Sequence, residues 1–184
     1  ENLKKFSPDL VVVGNSLSLQ NKEVEFILQN KIPHTSFAQL LGEQFLSKKT
    51  SIVVAGTHGK TTTTALISFL LESTKLDPSF LIGGLSEDLG TNHKLGTSRF
   101  FVVEGDEYDT AFFDKRSKFL HYHADYLILN NIEYDHADIF KDFTAVKKTF
   151  SKLLGQIEDP SKIIANIDDP GVLQVLEKLK LKDL

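Results

Sequence analysis

The segment 53–64 reads Val53-Val54-Ala55-Gly56-Thr57-His58-Gly59-Lys60-Thr61-Thr62-Thr63-Thr64. It predicts an apolar strand that ends in a glycine, then a short bend, then a helix that opens on Gly-Lys-Thr. Backbone N–H groups in the first turn of a helix lack intrahelical partners, and the helix dipole adds positive potential there. The turn between strand and helix is therefore a predicted binding site for an anion such as phosphate.

The residue types in this turn suit the phosphates of a nucleotide. Gly56 and Gly59 allow the backbone to approach a ligand closely, or to take positive φ, without a Cβ clash. Lys60 supplies a positive charge to the outer phosphates, and the Thr61 hydroxyl is a candidate ligand for Mg²⁺. The alternative is a tight strand-to-helix turn whose threonines only cap the helix. The residues predicted to contact the nucleotide are Gly56, Thr57, His58, Gly59, Lys60, Thr61 and Thr62.

The glycine spacing separates this turn from common P-loop ATPases. A Walker A motif has four residues between its glycines, whereas only Thr57 and His58 separate them here. The sequence also lacks an Asn-Lys-x-Asp motif for guanine, which argues against a small GTPase. A P-loop ATPase of another class, or a nucleotide-binding module without catalysis, remains as an alternative.

Composition narrows the remaining function classes. The 184 residues are 41% apolar and 25% charged with a formal net charge of −4, which fits a globular protein and not a nucleic-acid binder. No apolar run approaches the ~20 residues of a bilayer crossing, and the start is not a signal peptide, so we predict a cytoplasmic protein without a membrane role. The absence of cysteine excludes disulfides, thiolate zinc sites and cysteine nucleophiles, and the absence of methionine indicates a fragment.

Apolar strand patterns alternate with helical patterns along the chain. Strands are predicted over 9–13, 51–55, 80–82, 99–104, 126–130 and 162–165, and helices over 21–30, 37–46, 60–73, 143–154 and 171–179. Such alternation implies right-handed parallel crossovers, and hence an α/β fold with a doubly wound, mainly parallel sheet. Lys48-Lys49-Thr50 is the predicted seam between two units, residues 1–48 and residues 49–184.

Acidic residues follow the predicted strand over 99–104, where the chain reads Glu104-Gly105-Asp106-Glu107-Tyr108-Asp109. Ligands of open α/β sheets bind beyond the carboxyl ends of the strands, which is also where the phosphate turn lies. Carboxylates gathered there repel one another unless a cation intervenes, so Glu104 is the predicted Mg²⁺ ligand. The alternative, above all for Asp109, is a solvated acidic loop.

A second polar cluster follows the strand over 126–130 and reads Asn131-Ile132-Glu133-Tyr134-Asp135-His136. His136 is a candidate ligand for a second Mg²⁺ or for a phosphate, with Asp135 holding the other ring nitrogen. His121 and His123 have the spacing of one strand face, but without a third ligand we interpret them as structural or substrate-facing. No serine stands visibly beside His136 as a nucleophile, so the phosphoryl acceptor is expected to be the substrate.

Residues 55–63, 104–107 and 131–136 together resemble the three ATP-site signatures of the Mur ligases, the ATP-dependent amide-forming enzymes of bacterial peptidoglycan. The resemblance implies a P-loop-type central domain, incomplete at its C-terminal end, from residue 49 onward. It also implies that residues 1–48 are the latter part of a Rossmann-like domain that binds the UDP-sugar. Because a C-terminal domain normally completes the site in this family, the chain alone is expected to be inactive.

The resemblance also implies roles for individual residues. Lys60 would contact the β- and γ-phosphates, Thr61 and Glu104 would bind one Mg²⁺, and His136 would bind a second. Lys60 and His136 are thus the implied catalytic residues, and Asn131 is an implied ATP-binding residue. Several Mur ligases carry a carbamylated lysine, but the aligned position falls near Phe150, beside Lys147 and Lys148, so no carbamate is assigned.

Within that family, the segments 106–119 and 135–140 resemble the branch that joins UDP-N-acetylmuramate to L-alanyl-γ-D-glutamyl-meso-diaminopimelate. The alanine-adding branch tends to have Asp-Glu-Ser-Asp where this chain has Asp-Glu-Tyr-Asp, and L-alanine is the alternative amine. The implied reaction passes through an acyl phosphate and serves peptidoglycan recycling and cell-wall biosynthesis. Asp106, Glu107, Tyr108 and Arg116 are the implied substrate contacts, with a solvated charged loop as the alternative for the segment 114–118.

Overall fold

A computed structural model describes residues 2–135 and 139–179 of the chain. The helices are α1 (Asn2–Phe6), α2 (Lys22–Gln29), α3 (Phe37–Gln44), α4 (Lys60–Ser73), α5 (Phe143–Leu154) and α6 (Pro170–Lys178). The strands are β1 (Val11–Val13), β2 (His34–Ser36), β3 (Thr50–Ala55), β4 (Ser79–Ser86), β5 (Thr91–Lys94), β6 (Phe100–Gly105), β7 (Asp109–Ala111), β8 (Asp114–Ser117), β9 (Tyr126–Leu129) and β10 (Ile163–Ala165). Short 3₁₀ turns lie at Leu46–Lys48, Lys118–His121 and Pro160–Lys162.

A six-stranded sheet with the order β10-β9-β3-β6-β4-β5 forms the centre of the molecule. Its neighbouring strands are parallel except for β4 and β5, which confirms the predicted α/β fold with a mainly parallel sheet. Strand β3 lies between β6 and β9, and Val54 is the register partner of both Glu104 and Ile128. The chain forms β4 and β6 on one side of β3 before β9 and β10 on the other. A topological switch point, where such sheets bind ligands, therefore lies at the carboxyl end of β3.

Helices cover both faces of this sheet, which explains the unbroken apolar runs of β3, β6 and β9. On one face, Ala65, Ile67 and Leu71 of α4 pack against a small cluster that contains Val102 of β6. The larger cluster on the other face includes residues of α3, α5 and α6. None of the helices within the described ranges has the length and apolar character that a bilayer crossing requires.

The N-terminal unit contains a parallel pair, β1 and β2, together with α2 and α3. Strand β2 was not predicted, because its three residues His34–Ser36 are polar and carry no strand pattern. Helix α3 packs into the main core through Ala38 and Leu41. It lies so close to the 3₁₀ turn at 118–121 that a Cβ on Gly42 would be 2.0 Å from the His121 carbonyl oxygen. The domain boundary between residues 48 and 49 stays a prediction. One hydrophobic cluster contains residues from both sides of it, such as Leu41 and Val53.

Three further differences from the predicted elements lie between α4 and β9. Strand β4 continues to Ser86, beyond the predicted 80–82, and pairs with the unpredicted antiparallel β5. The segment after the acidic cluster forms a second antiparallel pair, β7 and β8. The expectation that His121 and His123 share a strand face is wrong, because His121 lies in a 3₁₀ turn and His123 has φ 46°.

Candidate functional site

The turn between β3 and α4 has the backbone shape that a phosphate loop requires. Gly56 has φ 144° and Gly59 has φ 77°, values that side-chain-bearing residues rarely adopt. Gly59 is also the N-cap of α4, and no side chain caps the helix there. The first N–H groups of α4 are thus left for a ligand or for water. Thr61 and Thr62 lie exposed in this first turn.

The segment after β9 stabilises the phosphate turn through hydrogen bonds to Thr57 and His58. Asn131 accepts a hydrogen bond from the His58 N–H through its side-chain oxygen at 2.8 Å, and its carbonyl accepts from the Thr57 N–H at 3.1 Å. The Glu133 N–H donates to the Thr57 hydroxyl at 2.9 Å. Thr57 is buried, whereas the His58 ring is exposed and lies 3.9 Å from the Glu133 carboxylate. Asn131 and Thr57 therefore shape the turn directly.

Lys60 extends back over the turn toward a buried carboxylate. Its Nζ donates to Glu107 Oε2 at 2.9 Å, to the Gly56 carbonyl at 2.6 Å and to the Thr57 carbonyl at 3.2 Å. These contacts use the three N–H donors of an ammonium group. Glu107 is only 2% exposed, so the alternative of a solvated acidic loop is wrong for this residue.

Thr61 and Glu104 meet at the same edge of the sheet. The Thr61 hydroxyl donates to Glu104 Oε2 at 3.1 Å, and the Gly83 N–H donates to Glu104 Oε1. A hydroxyl and a carboxylate oxygen are hard donors of the kind that Mg²⁺ prefers. The described residues contain no cluster of three or more His, Cys, Asp or Glu side chains that would hold a metal ion. The pair thus fits Mg²⁺ in its usual protein setting, where one or two side chains bind the ion together with phosphates and waters.

His136, the predicted second Mg²⁺ ligand and catalytic residue, lies outside the described residues. Phe150, near the aligned position of the carbamate, is fully buried with its ring 5.5 Å from that of Phe119. The neighbouring Lys147 donates to the Gln174 side chain at 2.8 Å.

A cleft of about 650 Å³ opens beside the phosphate turn, between the N-terminal unit and the carboxyl edge of the sheet. Gly14, Asn15 and Phe37 line it from one side, and Lys60 and Glu104 from the other. Burial raises the pKa of the Tyr122 phenol in its wall, so this group stays neutral and keeps its proton. The cleft is of a size that holds small molecules in other proteins.

Two of the predicted substrate residues, Asp106 and Tyr108, line this cleft. Asp106 accepts a hydrogen bond from Lys118 Nζ at 2.6 Å, and Lys118 also lines the cleft. Arg116 lies on β8 instead, where its guanidinium binds Asp114, with Nη2 2.6 Å from Oδ2. Sequence reasoning did not single out Gly83, although two adjacent glycines at the end of a predicted strand were a usable signal.

A buried histidine lies next to that Arg116–Asp114 pair. Hydrogen bonds from Arg116 lower the pKa of Asp114 to about 2. His121 Nε2 is 3.0 Å from Asp114 Oδ2, but the two atoms are not aligned for a hydrogen bond. Burial, reinforced by the charge of Arg116, lowers the pKa of His121 below its ordinary value. Its burial favours the structural interpretation from sequence over the substrate-facing one.

Comparison with known proteins identifies the family. The model for the Mur ligase middle domain matches residues 54–184. The Escherichia coli (strain K12) protein named UDP-N-acetylmuramate–L-alanyl-gamma-D-glutamyl-meso-2,6-diaminoheptandioate ligase is 45% identical over 169 residues, which are 92% of this chain and 37% of that protein. The UDP-N-acetylmuramate–L-alanine ligase of Dictyoglomus turgidum (strain DSM 6724 / Z-1310) is 36% identical over 175 residues, which are 95% of this chain and 36% of that protein.

A solved structure agrees with these relatives. The crystal structure of UDP-N-acetylmuramate:L-alanyl-gamma-D-glutamyl-meso-diaminopimelate ligase from Neisseria meningitides has a TM-score of 0.90 and 41% identity, covering 96% of this chain and 57% of that chain. The present chain spans less than two fifths of the length of the Escherichia coli and Dictyoglomus turgidum relatives. The phosphate turn, the sheet order and these matches together establish that the chain belongs to the Mur ligase family.

Proposed function

We propose that the protein containing this chain is an ATP-dependent peptide ligase of peptidoglycan recycling and cell-wall biosynthesis. It joins UDP-N-acetylmuramate to the tripeptide L-alanyl-γ-D-glutamyl-meso-diaminopimelate. The observation that carries this proposal is the convergence of Lys60, Thr61 and Glu104 at one edge of the sheet, beside a cleft of about 650 Å³. A phosphate donor and a carboxylate substrate can meet at that edge.

Lys60 and the N–H groups of the turn at 56–59 hold the β- and γ-phosphates of ATP in this proposal. Lys60 must first release at least one of its contacts, because Gly56, Thr57 and Glu107 engage its donors. Thr61 and Glu104 would hold Mg²⁺, with His136 proposed for a second ion. Bound Mg²⁺ neutralises charge on the phosphates.

The reaction then needs no nucleophile from the protein. A lactyl carboxylate oxygen of UDP-N-acetylmuramate attacks the γ-phosphorus, ADP leaves, and an acyl phosphate forms. The amine of the tripeptide attacks the acyl carbon and loses a proton, and the tetrahedral intermediate expels phosphate to leave the amide. Positioning and charge neutralisation dominate phosphoryl transfer, and a site rich in N–H donors and oxygen ligands supplies both.

The identity of the amine rests on a finer comparison. The relative named for the tripeptide is 45% identical to the chain, against 36% for the relative named for L-alanine. Tyr108, which stands where the alanine-adding branch tends to have serine, lines the cleft beside Asp106. These observations favour the tripeptide, and L-alanine is the alternative.

Phosphate release by the full-length protein tests this proposal. The protein is incubated with ATP, Mg²⁺, UDP-N-acetylmuramate and either the tripeptide or L-alanine. We expect release only with the tripeptide. Release with L-alanine would reassign the amine, and ATP hydrolysis that is indifferent to both amines would indicate a P-loop ATPase of another class.

The proposed substrates also bear on the location and the partners of the protein. ATP and a UDP-sugar are small soluble nucleotides, so we propose a cytoplasmic location without a nucleic-acid or membrane partner. The formal net charge of −4 agrees with the lack of a nucleic-acid partner.

A further inference from the structure

We propose that Gly83 is a positioning residue for the metal ligand Glu104, acting through its backbone N–H and through its lack of a side chain. The inference rests on the proposed function, because it takes Glu104 to be the Mg²⁺ ligand. Gly83 lines the cleft next to Glu104 and lies in the middle of β4, outside the three signature segments.

The N–H of Gly83 is available because the pairing of β4 with β6 stops just before it. Strand β4 pairs with β6 only from Ser79↔Phe101 to Leu81↔Val103, while β6 continues along β3 as far as Gly105. Beyond Leu81, the Gly83 N–H donates to Glu104 Oε1 in place of a ladder carbonyl. The end of the ladder thus supplies a fixed backbone donor to one side chain.

The missing side chain of Gly83 matters as much as its N–H. A Cβ built on Gly83 would lie 2.9 Å from Glu104 Oε2, 3.1 Å from Oε1 and 3.2 Å from Cδ. The positive-φ glycines of the described chain are Gly56, Gly59 and Gly90, so alanine at position 83 meets no left-handed backbone strain. A methyl group there would act on the carboxylate, not on the local fold.

The two donors hold Glu104 from both sides. Thr61 binds Oε2 and Gly83 binds Oε1, and each oxygen keeps lone-pair capacity for a cation. The Thr61 hydroxyl can donate its proton to Glu104 and still offer a lone pair to the same ion. Groups that orient a metal ligand in this way typically change metal affinity by about 10- to 100-fold when they are altered.

The adjacent glycine provides a matched control. A Cβ on Gly84 would meet only Thr61 Cγ2, at an ordinary contact distance of 3.6 Å. Gly84 also lacks a positive φ. Gly83→Ala and Gly84→Ala therefore add the same methyl group to neighbouring positions of one strand, and only the first crowds Glu104.

The test measures binding of Mn²⁺, as a probe for Mg²⁺, to the full-length protein with a non-hydrolysable ATP analogue, using the EPR signal of free Mn²⁺. We expect Gly83→Ala to weaken Mn²⁺ binding about tenfold and Gly84→Ala to leave it within about twofold. Equal affinities in Gly83→Ala and the unaltered protein would overturn the inference. If the unaltered protein itself binds no Mn²⁺ with the analogue, the proposed function fails first.

A double variant separates positioning from misfolding. Glu104→Asp withdraws the carboxylate by one methylene, so we expect the penalty of Gly83→Ala to shrink below about threefold in that background. An undiminished penalty would mean that the methyl group acts elsewhere and would overturn the inference. Should Gly83→Ala fail to fold, the Gly83 amide resonance of the ¹⁵N-glycine-labelled protein gives the answer. It should shift on adding Mg²⁺ with the ATP analogue, and an unchanged resonance would overturn the inference.

Discussion

Lys60 and Glu107 form an ion pair that closes the phosphate turn on itself. Nζ lies 2.9 Å from Oε2, and the two side chains are 15% and 2% exposed. The same ammonium group donates to the Gly56 and Thr57 carbonyls. A nucleotide phosphate that binds at this turn must therefore compete with the Glu107 carboxylate for the ammonium group of Lys60.

Replacing this carboxylate should strengthen nucleotide binding. We expect Glu107→Gln to bind an ATP analogue at least about fivefold more tightly, because a charge that repels phosphate near Lys60 is removed. The same variant should lose about 1–3 kcal/mol of unfolding free energy, since a neutral amide replaces a charge-assisted hydrogen bond. Titration with a fluorescent ATP analogue and urea unfolding measure the two effects.

Glu133 provides the control for that experiment. It lies after β9 and contacts the same turn, but it is 58% exposed, with its carboxylate 3.9 Å from the His58 ring. We expect Glu133→Gln to change analogue affinity by less than about twofold, because solvent screens an exposed charge. Weaker analogue binding in Glu107→Gln would mean that the carboxylate assists Lys60.

The two positive-φ glycines Gly59 and Gly90 allow strain and ligand binding to be told apart. Alanine at either position, with φ 77° and 65°, should lower the unfolding free energy by about 1–2 kcal/mol. Only Gly59 lies in the phosphate turn, where an added Cβ would be 3.2 Å from the Asn130 side chain, whereas nothing lies near Gly90. We expect Gly59→Ala alone to lose analogue affinity, as measured by the same titration. Equal losses of affinity would assign the effect to general destabilisation.

The parts of the fold that could be predicted from sequence are those fixed by burial. Strands β3, β6 and β9 lie inside the sheet and are covered on both faces, so their residues form apolar runs that a pattern can identify. The meeting of Thr61 and Glu104 followed from the same logic, since carboxyl ends of parallel strands share one edge. Strands β2 and β5 escaped prediction because their residues are polar.

The parts of the site that sequence did not reveal depend on side-chain directions and on where pairing stops. Nothing in the order of residues fixes the direction of Lys60, which follows from the position of the buried Glu107. The role of Gly83 depends on the β4–β6 ladder ending at Leu81, and ladder ends are set by tertiary packing. Local pattern thus predicted which residues meet at this edge of the sheet, but not the contacts among them.

His121 should make stability depend on pH. Its pKa in the folded protein is lowered from 6.5 by burial and by the charge of Arg116, whereas the unfolded chain regains the ordinary value. Below about pH 6.5 the unfolded state therefore binds more protons, and the unfolding free energy falls as pH falls. We expect His121→Gln to flatten this dependence between about pH 7 and pH 5 in urea unfolding.

Asp114 titrates in a lower pH range than His121, so its effect on stability does not overlap with that of His121. Its pKa falls from 3.8 to about 2 on folding, so its stabilising contribution is lost only below about pH 4. His93→Gln is the matched control, because His93 is exposed on β5, and it should leave the slope unchanged. A slope that persists in His121→Gln would assign the dependence to another group.

Asn131 should affect the nucleotide only through the turn that it supports. Its side chain accepts from the His58 N–H at 2.8 Å and donates to the His58 carbonyl at 3.3 Å, so Asn131→Ala removes two contacts to the loop. We expect about a three- to tenfold loss of ATP-analogue affinity, on the order of one net hydrogen bond, because water reaches both contacts. Asn166→Ala removes a comparable contact, to the Asp168 N–H at 3.1 Å, at an exposed site beyond β10 and should leave affinity unchanged. If Asn131 acts through the turn, the exchange of the His58 amide with solvent should accelerate together with this modest loss of affinity. A loss far greater than tenfold would mean that Asn131 contacts the nucleotide directly.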